Sequence, residues 1–213
     1  MMILMLAGLA AAAPLSGMDS VRTESGDGYS ITVTYPASVL EIEDVAEELQ
    51  RYASRQVQGF RESFQEFYSD SFDTFDWNME IAFTHEPSPE GMVCAVAWTW
   101  EYSGGAHGNS WTRTFVYDLD TGTFPGPVEL LGGEEEFRTF AGVVMERLSE
   151  LLDHDEWIEE GASPSVENYH SLLPVPDERG GIAGYRVLFP PYQVAAYVYG
   201  PVEVFVPCSE LRR

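Results

Sequence analysis

At 213 residues, with 45% hydrophobic and 13% aromatic content, the chain has enough apolar material for a packed core, which argues against disorder along its length. The formal net charge is −24, from 35 acidic residues against 11 basic ones, and every base is an arginine. Such a field repels phosphate backbones and anionic headgroups, disfavours nucleic-acid binding and speeds encounter with a basic partner.

Met1 to Ala13 is almost wholly apolar and ends in Ala11-Ala12-Ala13, a small-residue cleavage pattern. The run falls short of the roughly 20 apolar residues that a membrane helix needs. Residues 1–17 are therefore expected to be a signal peptide. No later stretch reads as a span, so no membrane insertion is expected after signal cleavage, and the mature protein is expected to be soluble, either periplasmic or secreted.

Ser16 to Gly28 reads as a polar linker, and Tyr29 to Tyr35 alternates as a strand does, ending at Pro36. Ser38 and Glu41 have the spacing of a capping box. Ile42, Val45, Leu49, Tyr52, Ala53, Phe60, Phe64 and Phe67 then recur at helical steps, predicting one long amphipathic helix to about Tyr68. Trp77 to Thr84, Met92 to Tyr102 and Ser110 to Tyr117 predict an antiparallel meander, with turn chemistry at Glu86–Gly91 and Asp118–Gly122. A second helix is predicted from Glu134 to Leu152, buried through Phe137, Phe140, Val144, Leu148 and Leu151. Ile182 to Phe189 and Val202 to Val206 read as the last strands. The sum is an α+β fold: antiparallel sheets, each packed with a long amphipathic helix, in two intertwined subdomains.

Two cysteines, Cys94 and Cys208, allow one intramolecular disulfide or two buried thiols on strand faces. No complete catalytic motif is present and no cofactor is implied. The acidic run Asp153 to Glu160, with His154, lacks the spacing of a calcium loop, and Asp70, Asp73 and Asp76 equally suit a polar bend. No metal site is assigned. Trp98, Trp100 and Trp111 join the tyrosines of the last third as aromatics that either line a groove or fill the core.

Two segments carry more information: Tyr102-Ser103-Gly104-Gly105-Ala106-His107-Gly108, and Pro191-Tyr192-Gln193-Val194 followed by Tyr197, Gly200 and Pro201. With Glu167-Asn168-Tyr169 and the closing Val204-Phe205-Val206-Pro207, they make the chain resemble an extracytoplasmic domain pair of unknown function. That pair occurs in lysozyme-sensing anti-sigma factors and before the catalytic domain of peptidoglycan deacetylases. Residues 18–122 resemble the deacetylase-associated domain and residues 123–213 the anti-sigma-factor ectodomain. Neither a sigma-binding segment nor a catalytic domain is read in these residues. Thr74-Phe75-Asp76-Trp77 only echoes the deacetylase metal motif, which lacks its second Asp and its His-x-x-x-His here.

The resemblance implies an exported, non-catalytic envelope protein that binds peptidoglycan-type glycan or a basic protein such as lysozyme. The expected ligand contacts are Tyr102, His107, Tyr192, Tyr197 and Tyr199, with His107 either a ligand contact or a residue that shapes its turn. The alternative is a metal-assisted or acid–base hydrolase of envelope glycans.

Overall fold

The computed structural model describes residues 19–68, 75–152 and 155–211. The expected signal segment, together with Asp70, Asp73, Thr74, Asp153 and His154, lies outside the described residues. The chain forms two compact units. The first comprises the described residues up to Thr84 with Trp98–Asn109; the second comprises His85–Ala97 with the residues from Ser110 onward. The division between these units falls within strands.

In the first unit, β1 (Ser20–Gly26) pairs antiparallel with β2 (Tyr29–Tyr35), with Gly26 opposite Tyr29 across Asp27-Gly28. The expected linker is therefore one arm of a hairpin. Its inward positions are polar, which hides it from a hydrophobic pattern: Arg22 lies 5.4 Å over the Tyr35 ring, and Glu24 accepts from Tyr29 at 3.0 Å and from Arg61 Nε at 2.9 Å. Asp-Gly is the turn chemistry of a two-residue hairpin.

A short helix, α1 (Ala37–Leu40), precedes α2 (Glu43–Phe67). The expected capping box does not form the start of the long helix, because Ser38 lies inside α1 and Ile42, in extended conformation, is the N-cap of α2. Glu43 and Asp44 still place negative charge on its first turn. Val45, Leu49, Tyr52, Val57 and Phe60 are buried, whereas Phe67, at the end of the predicted stripe, is 66% exposed. The chain returns as β3 (Trp77–Glu86), parallel to β2, with Tyr29 opposite Trp77. A helical crossover brings the chain back to the same sheet end, so the sheet is mixed and not antiparallel throughout. Ile31, Val33, Tyr35, Met79, Ile81 and Phe83 bury one sheet face, and Tyr35 stacks on Phe83 at 4.9 Å. With β4 (Met92–Tyr102) and β5 (Asn109–Asp118) the strand order is β1-β2-β3-β4-β5.

In the second unit, α3 (Pro127–Leu131) starts on a proline and ends at a left-handed Gly132, the two ordinary signals for a helix this short. α4 (Glu134–Leu151) and α5 (Asp155–Gly161) follow, then a 3-10 turn at Val166–Tyr169. β6 (Leu172–Pro176), β7 (Ile182–Phe189) and β8 (Val202–Pro207) form an antiparallel sheet in that order, with a 3-10 turn at Tyr197–Tyr199 before β8 and α6 (Cys208–Leu211) after it. β6 contains Pro174 and Pro176, which an edge strand tolerates because its outer N–H positions need no partner. One face of this sheet, with Val187, Phe189, Val204 and Val206, shares a core with Phe137, Phe140, Val144 and Leu148 of α4. Leu151 is 65% exposed, and Leu152, beyond the helix, takes the buried place expected of it. The opposite face, through Leu173 and Leu188, packs with Cys94, Val96 and Val116.

No disulfide joins Cys94 to Cys208; both are free thiols. Cys94 is buried in β4, while Cys208 begins α6 instead of continuing a strand, and its Sγ donates to the Ile182 carbonyl at 3.4 Å. Among the described residues, no helix is long and apolar enough to cross a membrane.

Candidate binding site

The last turn of a helix leaves carbonyls without intrahelical partners. At the end of α5 those carbonyls are taken by side chains. Asn168 Nδ2 donates to Glu160 O at 3.0 Å, Gln193 Nε2 donates to Gly161 O at 2.8 Å, and Tyr169 Oη donates to Ala162 O at 2.6 Å. Gln193 Nε2 also reaches Asn168 O at 2.9 Å. The motifs Glu167-Asn168-Tyr169 and Pro191-Tyr192-Gln193-Val194 thereby become one clamp. Burial of Tyr169 drives its phenol well above the ordinary range, so it remains a donor. The approach is close: a Cβ on Gly161 would stand 1.8 Å from Gln193 O, so only glycine fits.

The clamp positions an aromatic row. Ile158 anchors α5 in the core, and its neighbour Trp157 points outward at 38% exposure. Trp157 and Tyr192 are near-parallel, 26° apart with centroids 6.3 Å apart, and Tyr192 lies 5.4 Å from Tyr197. Tyr192 is 47% exposed and has φ 72, the one non-glycine with positive φ among the described residues. Its N–H donates to Ala195 O at 3.1 Å, closing the turn that holds this conformation. Trp157 and Tyr192 line a cleft of about 410 Å³ together with Glu156, Glu160, Asn168 and Gln193. Because their NH2 groups face carbonyls, Asn168 and Gln193 keep their amide oxygens as acceptors beside that cleft. Flat rings stack on sugar faces, while carboxylates and amides accept from hydroxyls.

Tyr192 and Tyr197 thus come together, with Trp157 as a partner that the sequence did not single out. It sits in an acidic run whose local pattern reads as a solvated helix end. A Trp-Ile pair within that run was the available signal. Tyr199 is 47% exposed on the same 3-10 turn as Tyr197, beside Val198 at 85%.

Tyr102 and His107 belong to the first unit. Tyr102 Oη donates to Gly105 O at 3.1 Å, and His107 Nδ1 donates to Gly108 O at 3.0 Å, so both side chains bind the backbone of their own turn. Gly104, at φ 106, passes so close to the Phe75 ring that a Cβ there would stand 2.5 Å from it. Trp100 stacks on Tyr102 at 6.3 Å and 10°, and Trp98 and Trp100 are 40% and 37% exposed on β4. Trp111, in the second unit, is half-buried. Among the described residues, no group of three or more His, Cys, Asp and Glu side chains is arranged to hold a metal ion.

No protein-family profile matches the chain. It is 22% identical to a peptidoglycan-N-acetylmuramic acid deacetylase, PdaC of Bacillus subtilis, over 92% of this chain and 44% of that protein, so it spans less than half the length of this curated relative. A solved structure of a DUF3298 family protein from Bacteroides fragilis superposes with TM-score 0.52 at 15% identity, covering 96% of this chain and 94% of that one. A second, from Pseudomonas aeruginosa, gives TM-score 0.49 at 15% identity over 91% and 90%. The likeness to the Bacteroides structure shows a shared α+β fold.

Proposed function

We propose that this chain is an exported, non-catalytic cell-envelope module, periplasmic or secreted, that binds peptidoglycan-type glycan through the row Trp157, Tyr192 and Tyr197. The observation that carries this reading is the half-exposed, near-parallel Trp157–Tyr192 pair flanking a cleft with carboxylate and amide acceptors. Tyr192 holds a backbone conformation that costs an L-residue about 1–2 kcal/mol, a cost that a functional ring position would explain. The similarity to a peptidoglycan deacetylase supports an envelope setting.

A basic protein such as lysozyme is the second reading. Exposed Trp157, Tyr192 and Val198 are suitable protein anchors, and Glu156, Glu159 and Glu160 on α5 would steer a cation toward them. Co-sedimentation with insoluble peptidoglycan, beside capture of lysozyme, separates the two across a salt series. Glycan stacking survives raised salt and is lost in Trp157→Ala, whereas lysozyme retention that vanishes with salt and ignores Trp157→Ala is charge attraction alone. Failure to sediment with peptidoglycan at any salt overturns the glycan reading.

A further inference from the structure

A different cleft of the second unit, about 480 Å³, lies between β5, the segment leading into α3 and the 3-10 turn Val166–Tyr169. Its apolar lining includes Val116, Pro127, Leu130 and Leu172, and its ionisable lining is Arg113, Glu167, Tyr169 and His170, of which the Tyr169 hydroxyl already donates to Ala162 O. Thr114 ties the two sides together: its hydroxyl reaches His170 O at 3.2 Å and Leu172 O at 2.8 Å. That fixes the residue next to Arg113 against the residue that carries the imidazole.

Three features give the cleft a sign. In a chain with 35 acids, Arg51, Arg55, Arg61, Arg138, Arg147 and Arg186 all pair with carboxylates. Arg113, Arg22 and Arg179 pair with no carboxylate among the described residues, and of these three Arg113 alone lines this cleft. His170 donates from Nδ1 to Glu167 O at 2.7 Å, which orients the ring and leaves Nε2 for a ligand. The Glu167 carboxylate is engaged by the Ser165 hydroxyl, which holds its carboxyl below the ordinary range and diverts one acceptor oxygen from the cleft.

We propose that this cleft binds a small carboxylate-bearing ligand with an apolar body, the carboxylate on the Arg113 guanidinium and a hydrogen bond on His170 Nε2. A guanidinium fork matches a carboxylate in two parallel bonds. One guanidinium beside a carboxylate, in a field of −24, suits a monoanion and not a phosphate dianion. The inference does not depend on the aromatic row. Two sources share this chemistry, a peptide C-terminus and an acidic N-acetylated sugar.

The full chain titrated calorimetrically with N-acetyl-D-alanyl-D-alanine and, separately, with N-acetylmuramic acid distinguishes those sources, with the matching carboxamides as controls. At least one carboxylate binds saturably and its carboxamide does not. Arg113→Gln weakens that binding about tenfold or more, the effect of one lost charged hydrogen-bond pair, and Arg113→Lys weakens it less. Arg113 is exposed, so thermal unfolding of both variants stays at the wild-type temperature. Absence of binding by both carboxylates, equal binding of the carboxamides, or wild-type affinity in Arg113→Gln overturns the proposal.

Discussion

Gln193 and Gly161 meet through a side-chain amide that donates to a helix-end carbonyl at 2.8 Å, while the Gln193 backbone leaves no room for a Cβ on Gly161. The same glutamine bonds Asn168 O, so one side chain joins three segments beneath the aromatic row. Gln193→Leu keeps the volume and strands both carbonyls. The expected cost is about 1–3 kcal/mol in urea unfolding, together with weakened glycan binding. Unchanged stability would mean that the clamp is not closed in solution.

Tyr192 separates stability from binding. Glycine adopts its positive φ without the Cβ penalty, so Tyr192→Gly unfolds at higher denaturant than Tyr192→Ala, by about 1 kcal/mol, while both lose the ring. Equal stability of the two variants would place Tyr192 in an ordinary backbone conformation.

The cysteines differ in reactivity. Burial, the leading cause, pushes the Cys94 thiol up to about 11, whereas Cys208 is only half-buried at the start of α6. Alkylation of the folded protein at mildly alkaline pH modifies Cys208 first, and Cys94 reacts only after unfolding. Mass spectrometry reads this directly; equal labelling, or a bridge that blocks both, contradicts the free-thiol arrangement.

Burial also raises the Glu101 carboxyl above its ordinary value of 4.5. A carboxyl raised in the folded state contributes stability fully below its unfolded pKa, and that contribution is lost as pH rises through the folded value. Glu101→Gln is uncharged at every pH. Its melting temperature therefore exceeds that of the wild type near neutral pH, and the difference shrinks toward about pH 4. A difference that does not change with pH would contradict the assignment.

The parts legible in the sequence are those where periodicity and burial agree. The amphipathic stripe of α2, the alternation in β2 and the spans of β4 and β7 lie within about a residue of where the sequence puts them. β1 escaped because its inward side chains, Arg22 and Glu24, are polar and satisfied by a ring and an ion pair, relations that exist only after folding. β6 escaped because Pro174 and Pro176 read as strand breakers, whereas an edge position and the irregularity at Val175–Pro176 accommodate them. The parallel pairing of β2 with β3 follows from the crossover, which no local pattern encodes. At the candidate site, Tyr192 and Tyr197 were visible as tyrosines in a distinctive segment. Trp157 was not, because its role comes from an orientation fixed by Asn168 and Gln193, distant in the chain.

The most direct measurement of the central claim is titration of a soluble, uncrosslinked peptidoglycan glycan fragment into the full chain, wild type against Trp157→Ala and Tyr192→Ala, at raised salt. The account predicts saturable binding by the wild type and a loss of about tenfold or more in each variant, the worth of one stacked ring. Wild-type affinity in both variants, or no binding by the wild type, would contradict it.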